Sequence, residues 1–279
     1  MTDLIKSNYY TLLGVLIFLL VSLIILKKFL LIKYKKENVK IETASTIGGE
    51  EAQEDNFKVV TSEIGTIAVL ADGLGKNKGG KISSKVAVST FIDIFLSHRT
   101  LGKVEYFFNK AFNASNREIL KRIDSKQGGT SLVSAVIMEG FLYYAMVGDT
   151  VIAILRENEL LKLSEGHTLD VLAKQEFYKG RLSKEIALSA INERKLLYYL
   201  GMEEFKSFEI FDIPIKLKKQ DIIVLMNRGI YETLTWNEIE NTIIKNSNFN
   251  GIGKKIIDKV KDTEKEDKHN GTIMLMKYI

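Results

Sequence analysis

The order of patterns along the chain predicts an α+β domain behind one uninterrupted apolar segment near the N-terminus. Two observations carry the prediction. Apolar runs of strand length come in adjacent groups, and helical patterns come in groups between them, which argues against a parallel alternating sheet. With 46% apolar residues among 279, the chain can also bury a substantial core.

The apolar segment comes first. Thr11 to Leu26 carries no charge and is almost wholly aliphatic. With Tyr9 and Tyr10 it reaches the lower length for crossing a bilayer, and snorkelling Lys27 and Lys28 let Phe29–Ile32 extend it. A cleaved signal peptide would place its lysines before the apolar run, whereas here they follow it. The expectation is therefore a short N-terminus (1–8), a transmembrane helix (9–32), a linker (33–40) and a domain (41–279). Flanking lysines favour the cytoplasmic side, so the N-terminus is expected outside a cell membrane crossed once, with the domain in the cytoplasm.

Charge supports that division. Residues 1–40 hold seven lysines against Asp3 and Glu37, which is the whole of the chain's net +5. The domain is close to neutral, so no basic stripe for nucleic acid is expected. The absence of cysteine excludes disulfides and thiolate ligands.

Within the domain, 57–62 and 64–71 are expected as strands, and 79–97 and 104–123 as helices. Phe107, Phe108, Ala111 and Phe112 share one face of the second helix. Ser131–Met138 and Phe141–Val147 flank Glu139-Gly140 as a hairpin, and Val151–Leu155 and Leu160–Leu163 flank Glu157-Asn158 as another. Strands near 206–213 and 221–226 precede helices near 236–246 and 252–262. Ile273–Met276 closes the sheet.

Four segments carry chemistry: Glu54-Asp55-Asn56, Ala71-Asp72-Gly73-Leu74-Gly75, Gly148-Asp149-Thr150 and His269-Asn270-Gly271-Thr272. An Asp in a glycine-flanked turn suits a hard metal, since glycine lets backbone oxygens approach an ion. In order and spacing the four resemble the metal-dependent PPM-type (type 2C) serine/threonine protein phosphatases, from about Ile41 to Ile279. The resemblance implies two stacked antiparallel sheets with helices outside. It also implies two Mn2+ or Mg2+ ions sharing a bridging water that attacks the phosphoryl group. By the resemblance, Glu54, Asp72 and the Gly73 carbonyl are the first ion's ligands. Asp55 orients water beside the catalytic Asp72, and Asp149 matches a ligand to a weaker third ion. Gly129-Thr130 and Gly166-His167-Thr168 fit as well.

Three positions depart from the family. Two second-ion aspartates read Arg228, in Asn227-Arg228-Gly229, and His269, and the phosphate-gripping arginine reads Glu50. Asp267 would approach the site only through a register shift. Arg228 is expected to set its guanidinium where the second ion would sit, against Asp72 or Glu50, because a buried carboxylate without its ion needs such a partner. The expected function is an impaired, membrane-tethered phosphatase-like domain with room for one ion, binding a phosphoprotein, a kinase or a membrane-complex partner. A working phosphatase with an altered metal site, and a purely structural domain of a membrane assembly, stand as alternatives. The P-loop spacing from Gly75 to Lys81 is set aside, because Ile82 stands where magnesium binding needs a hydroxyl.

Overall fold

The computed structural model describes residues 2–34, 39–75, 78–98, 101–123, 127–191, 195–205, 208–211, 213–246, 248–265 and 268–279. They fall into two units, 1–37 and 38–279. The first holds helix α1 (Thr2–Tyr34), whose described side chains, 12–28, are exposed. Among the described residues no helix is long and apolar enough to cross a membrane. Both ends of the expected span 9–32 lie outside the described side chains.

The second unit is built on two antiparallel sheets. One comprises β1 (Val39–Thr46), β11 (Gly271–Tyr278), β10 (Ile222–Met226), β6 (Val151–Arg156) and β7 (Glu159–Lys162), in that order. The other comprises β2 (Asn56–Thr61), β3 (Thr66–Gly75), β4 (Gly128–Met138), β5 (Phe141–Val147) and β8 (Glu209–Ile210), with β9 (Ile215–Lys216) also on β5.

Strands β3, β4, β6, β10 and β11 are near-continuous apolar runs because both of their faces are buried. Alternate residues divide between layers. Ala68 and Leu70 of β3 pack with Ile223, Leu225, Met274 and Met276 between the sheets. Ile67 and Val69 face outward onto α2 (Gly79–Ser97) and α3 (Val104–Leu120). There Phe91 meets Phe112 edge-on at 4.9 Å and 86°. Burying each such ring contributes about 2–3 kcal/mol. On the far sheet, α7 (Trp236–Ile244) and α8 (Ile252–Asp262) cover Val224, Ile273 and Leu275.

The expected strands, helices and two hairpins recur with shifted ends. Four features differ. β1 begins inside the expected linker, and it is apolar on neither face, which hides it from a hydropathy reading. Segment 169–191, given no structure in advance, forms α4 (Leu169–Tyr178) and α5 (Lys184–Ile191). Only part of the strand expected near 206–213 is described, as the short β8. Finally, Asp72 and Gly73 are not in a turn. β3 runs on to Gly75, with Asp72 opposite Ser131 and Gly73 opposite Thr130 on β4. A short helix, α6 (Arg228–Tyr231), follows β10 directly.

Candidate metal and phosphate site

A cleft of about 1010 Å³ collects the chemistry-bearing residues where strands of both sheets end. β3 supplies Asp72 and Gly73, and the β1–β2 loop supplies Glu50, Glu51 and Glu54. The β5–β6 turn supplies Asp149, the start of α6 supplies Arg228, and the residues before β11 supply His269 and Asn270. Residues far apart in sequence thus meet as the four motifs imply. Asp267 lies outside the described residues.

The backbone packs tightly at the floor. A Cβ on Gly73 would come within 2.5 Å of the Gly80 carbonyl and 2.6 Å of the Glu54 carbonyl, so only glycine fits. Gly148, at φ +94°, turns the chain against Ser131 just before Asp149.

A buried amide network holds the acidic loop. Asn270 accepts from the Glu54 amide at 2.7 Å and donates to the carbonyls of Ile47 (2.8 Å) and Ala52 (3.1 Å). Asn227 donates to Asp55 Oδ2 at 2.9 Å and to the Asn270 carbonyl at 2.8 Å, and Thr272 Oγ1 donates to Asp55 Oδ2 at 2.6 Å. Sequence reading placed Asn227, Asn270 and Thr272 only as motif neighbours. Their anchoring role depends on long-range contacts that spacing does not reveal. Ser131, also missed, donates to Asp149 Oδ1 at 2.8 Å, and the Tyr231 hydroxyl donates to the Asp149 carbonyl at 2.8 Å.

Charge accumulates here. Burial raises the Asp55 carboxyl to about 6 despite the bonds from Thr272 and Asn227. Burial, then the charges of Asp55 and Asp149, push Asp72 well above the usual carboxylate range, with Arg228 opposing. Burial likewise raises Glu54. Such a cluster favours a cation. Among the described residues no amide or hydroxyl donor reaches the buried Asp55 Oδ1, and the Asp55 carboxyl is also hydrogen-bonded to that of Asp72. Against this, among the described residues no group of three or more His, Asp or Glu side chains stands ready to hold an ion. An ion between Glu54 and Asp72 would draw its other ligands from the Gly73 carbonyl and water.

Arg228, His269 and Glu50 bond in series. Arg228 Nη2 lies 2.9 Å from His269 Nε2, and His269 Nδ1 lies 3.0 Å from Glu50 Oε1. A guanidinium only donates, so Nε2 must accept and the ring proton sits on Nδ1, donated to Glu50. Arg228 Nε also lies 3.8 Å from Glu232. The expected contact is therefore corrected. Arg228 reaches Glu50 through His269 rather than directly, and acts on Asp72 only as a nearby charge. The physical reason is reach along α6: one turn brings Glu232 under the guanidinium, while the imidazole fills the intervening space.

The sequence model of the family described as Protein phosphatase 2C matches residues 44–192, more than half of the chain. The chain belongs to the protein phosphatase 2C (PPM-type) family. It is 27% identical over 184 residues to the serine/threonine phosphatase Stp of Listeria monocytogenes, covering 63% of this chain and 71% of that protein. With the protein phosphatase PhpP of Streptococcus pneumoniae it shares 24% over 185 residues, covering 64% and 72%. Its fold matches the serine/threonine phosphatase of S. agalactiae with a TM-score of 0.73 at 20% identity, over 86% of this chain and all of that one. The catalytic domain of PstP, solved with two manganese ions, matches at 0.66 and 17% identity, over 86% and 98%. PPM phosphatases use Mn2+ or Mg2+, and the fold described above is theirs.

Proposed function

We propose that this PPM-family chain is anchored by residues 9–32 in a cell membrane, with its domain on the cytoplasmic side. Its site binds at most one divalent ion, through Glu54, Asp72 and the Gly73 carbonyl, and turns over phosphoprotein poorly. It serves instead as a binding or regulatory module in phospho-signalling. The observation that carries this reading is the bonded series Arg228–His269–Glu50, which joins all three departures from the family pattern.

The chemistry follows from the residues present. An ion at the retained half-site would supply charge to acidify water, while Asp55, held by Asn227 and Thr272, keeps a fixed acceptor beside Asp72. At the other half-site the positive charge is Arg228, which cannot ligate or acidify water. Glu50 stands where a phosphate clamp would be and opposes a phosphoryl dianion.

A second reading, an active phosphatase with an altered ion set that includes Asp149, is favoured by the relatives at 24–27% identity, which are named as phosphatases. Isothermal titration of the full chain in neutral detergent with Mn2+ separates the two. One bound ion or none supports the proposed reading. Two ions, with the first lost in Asp72→Ala and the second in Asp149→Ala, supports the alternative.

A further inference from the structure

The chain enters its second unit at the end remote from the cleft. β1 runs from Val39 to Thr46, about 24 Å, and the cleft residues of the β1–β2 loop follow it. Only residues 35–38 join α1 to β1, a reach of about 18 Å at full extension. A bilayer that holds residues 9–32 is therefore within reach of this end of the domain.

Lysines gather there on a built frame. Loop 217–221 crosses from β9 in one sheet to β10 in the other, beside the last residues of β11. The Leu217 amide donates to the Gly140 carbonyl and the Gln220 amide to the Tyr278 carbonyl, both at 2.8 Å, and Arg156 donates to the Lys216 carbonyl at 2.9 Å. Lys216, Lys218 and Lys219 stand exposed on this loop. Lys40 lies directly opposite Lys277 on the β1–β11 ladder, and among the described residues neither takes part in an ion pair. Like charges so placed repel, and an anion from outside the domain would relieve them. Among the described residues the exposed carboxylates at this end are Glu63, Glu139 and Glu157, the last paired with Lys218 at 2.6 Å. Asp221 is buried against Arg156. Five lysines thus outnumber three glutamates, and Lys33, Lys35 and Lys36 against Glu37 add to the excess. Two residues before β9, Ile213 is 83% exposed.

We infer that this end of the domain docks on an anionic lipid surface, with its lysines on the headgroups and Ile213 among them. Charge complementarity and the short connection to residues 9–32 select this occupant. The inference rests on the reading that residues 9–32 are anchored in a bilayer, and adds a second lipid contact that orients the domain. Docked in this way, the domain opens its cleft away from the lipid. Each unpaired lysine near a negatively charged leaflet tightens the contact about fivefold, and salt weakens it.

The chain has no cysteine, so Ile213→Cys places a single dye at this end and Glu51→Cys places one at the cleft rim. The full chain is reconstituted in phosphatidylcholine vesicles, with or without phosphatidylserine, that carry a nitroxide quencher on a neutral headgroup. The dye at 213 should be quenched more strongly when phosphatidylserine is present, and the excess should fade with salt. Lys216→Glu with Lys219→Glu should abolish the excess, while Lys216→Arg with Lys219→Arg should keep it. The dye at 51 should stay unquenched in both vesicles. Equal quenching at 213 in both vesicles, or quenching at 51, overturns the inference alone. So does the absence of quenching at 213 in either, the result that an acidic protein partner would give. A chain that alkaline carbonate extracts from the neutral vesicles overturns the anchor reading and the inference with it.

Discussion

Arg228 and His269, separated by 41 positions and set by the sequence resemblance against two second-ion aspartates, bond to each other through their side chains at 2.9 Å. Glu50, at the third altered position, accepts from the same imidazole at 3.0 Å. Each altered residue therefore satisfies another. Unrelated losses would leave a lone guanidinium or a lone carboxylate at the site, and this arrangement leaves neither.

Mutual dependence sets the first prediction. Arg228→Asp, His269→Asp and Glu50→Arg together should restore Mn2+-dependent hydrolysis of p-nitrophenyl phosphate, while each single change should do little. Arg228→Asp alone crowds a fifth carboxylate against Asp72, Asp55, Asp149 and Glu54 without completing a ligand set. Substantial activity from any one single mutant would show that the three positions act independently.

Asn270 offers a test of the loop anchor. Its side chain makes three hydrogen bonds and is 7% exposed. Asn270→Ala should cost about 2–4 kcal/mol in urea unfolding of the full chain in detergent, and should raise proteolysis within 47–54. A cost under about 1 kcal/mol would mean that the loop is held elsewhere.

The buried Asp55 sets a pH dependence. Its folded-state value near 6 lies above the ordinary 3.8, so the folded chain holds this proton more tightly than the unfolded chain. Its stabilising contribution is thus present below about pH 4 and lost as pH rises through about 6, by of order 2–3 kcal/mol. Without divalent ions, wild type should therefore lose more stability between about pH 4 and pH 7 than Asp55→Asn does. Parallel pH profiles would count against it.

Much of the fold was legible because its strands are buried on one or both faces and its turns carry strong local signals. Glu139-Gly140 and Glu157-Asn158 both take positive φ, as tight hairpins require. β1 was not legible: it pairs along its whole length with β11, yet Thr46 alone of its residues is buried. The α4–α5 pair escaped for a related reason, since among its described side chains only Ala173 and Ala187 are buried. At the site, the motifs named the residues that gather in the cleft. They did not show that Asp72 continues a paired strand, or that Arg228 turns to His269. Those outcomes depend on β3–β4 pairing and on side-chain reach across the fold.

Topology has its own check. A cytoplasmic-active reporter fused after Lys40 should give signal, and an extracytoplasmic-active reporter at the same place should not. The opposite pattern would reverse the orientation drawn from the lysines at 27, 28, 33, 35 and 36.

Manganese-dependent dephosphorylation of a phosphoserine peptide by the wild-type full chain tests the central claim most directly. The arrangement of Arg228, His269 and Glu50 predicts turnover at or near background at every Mn2+ concentration. Robust turnover that disappears in Asp72→Ala would contradict it and establish a working phosphatase built on an altered ion set.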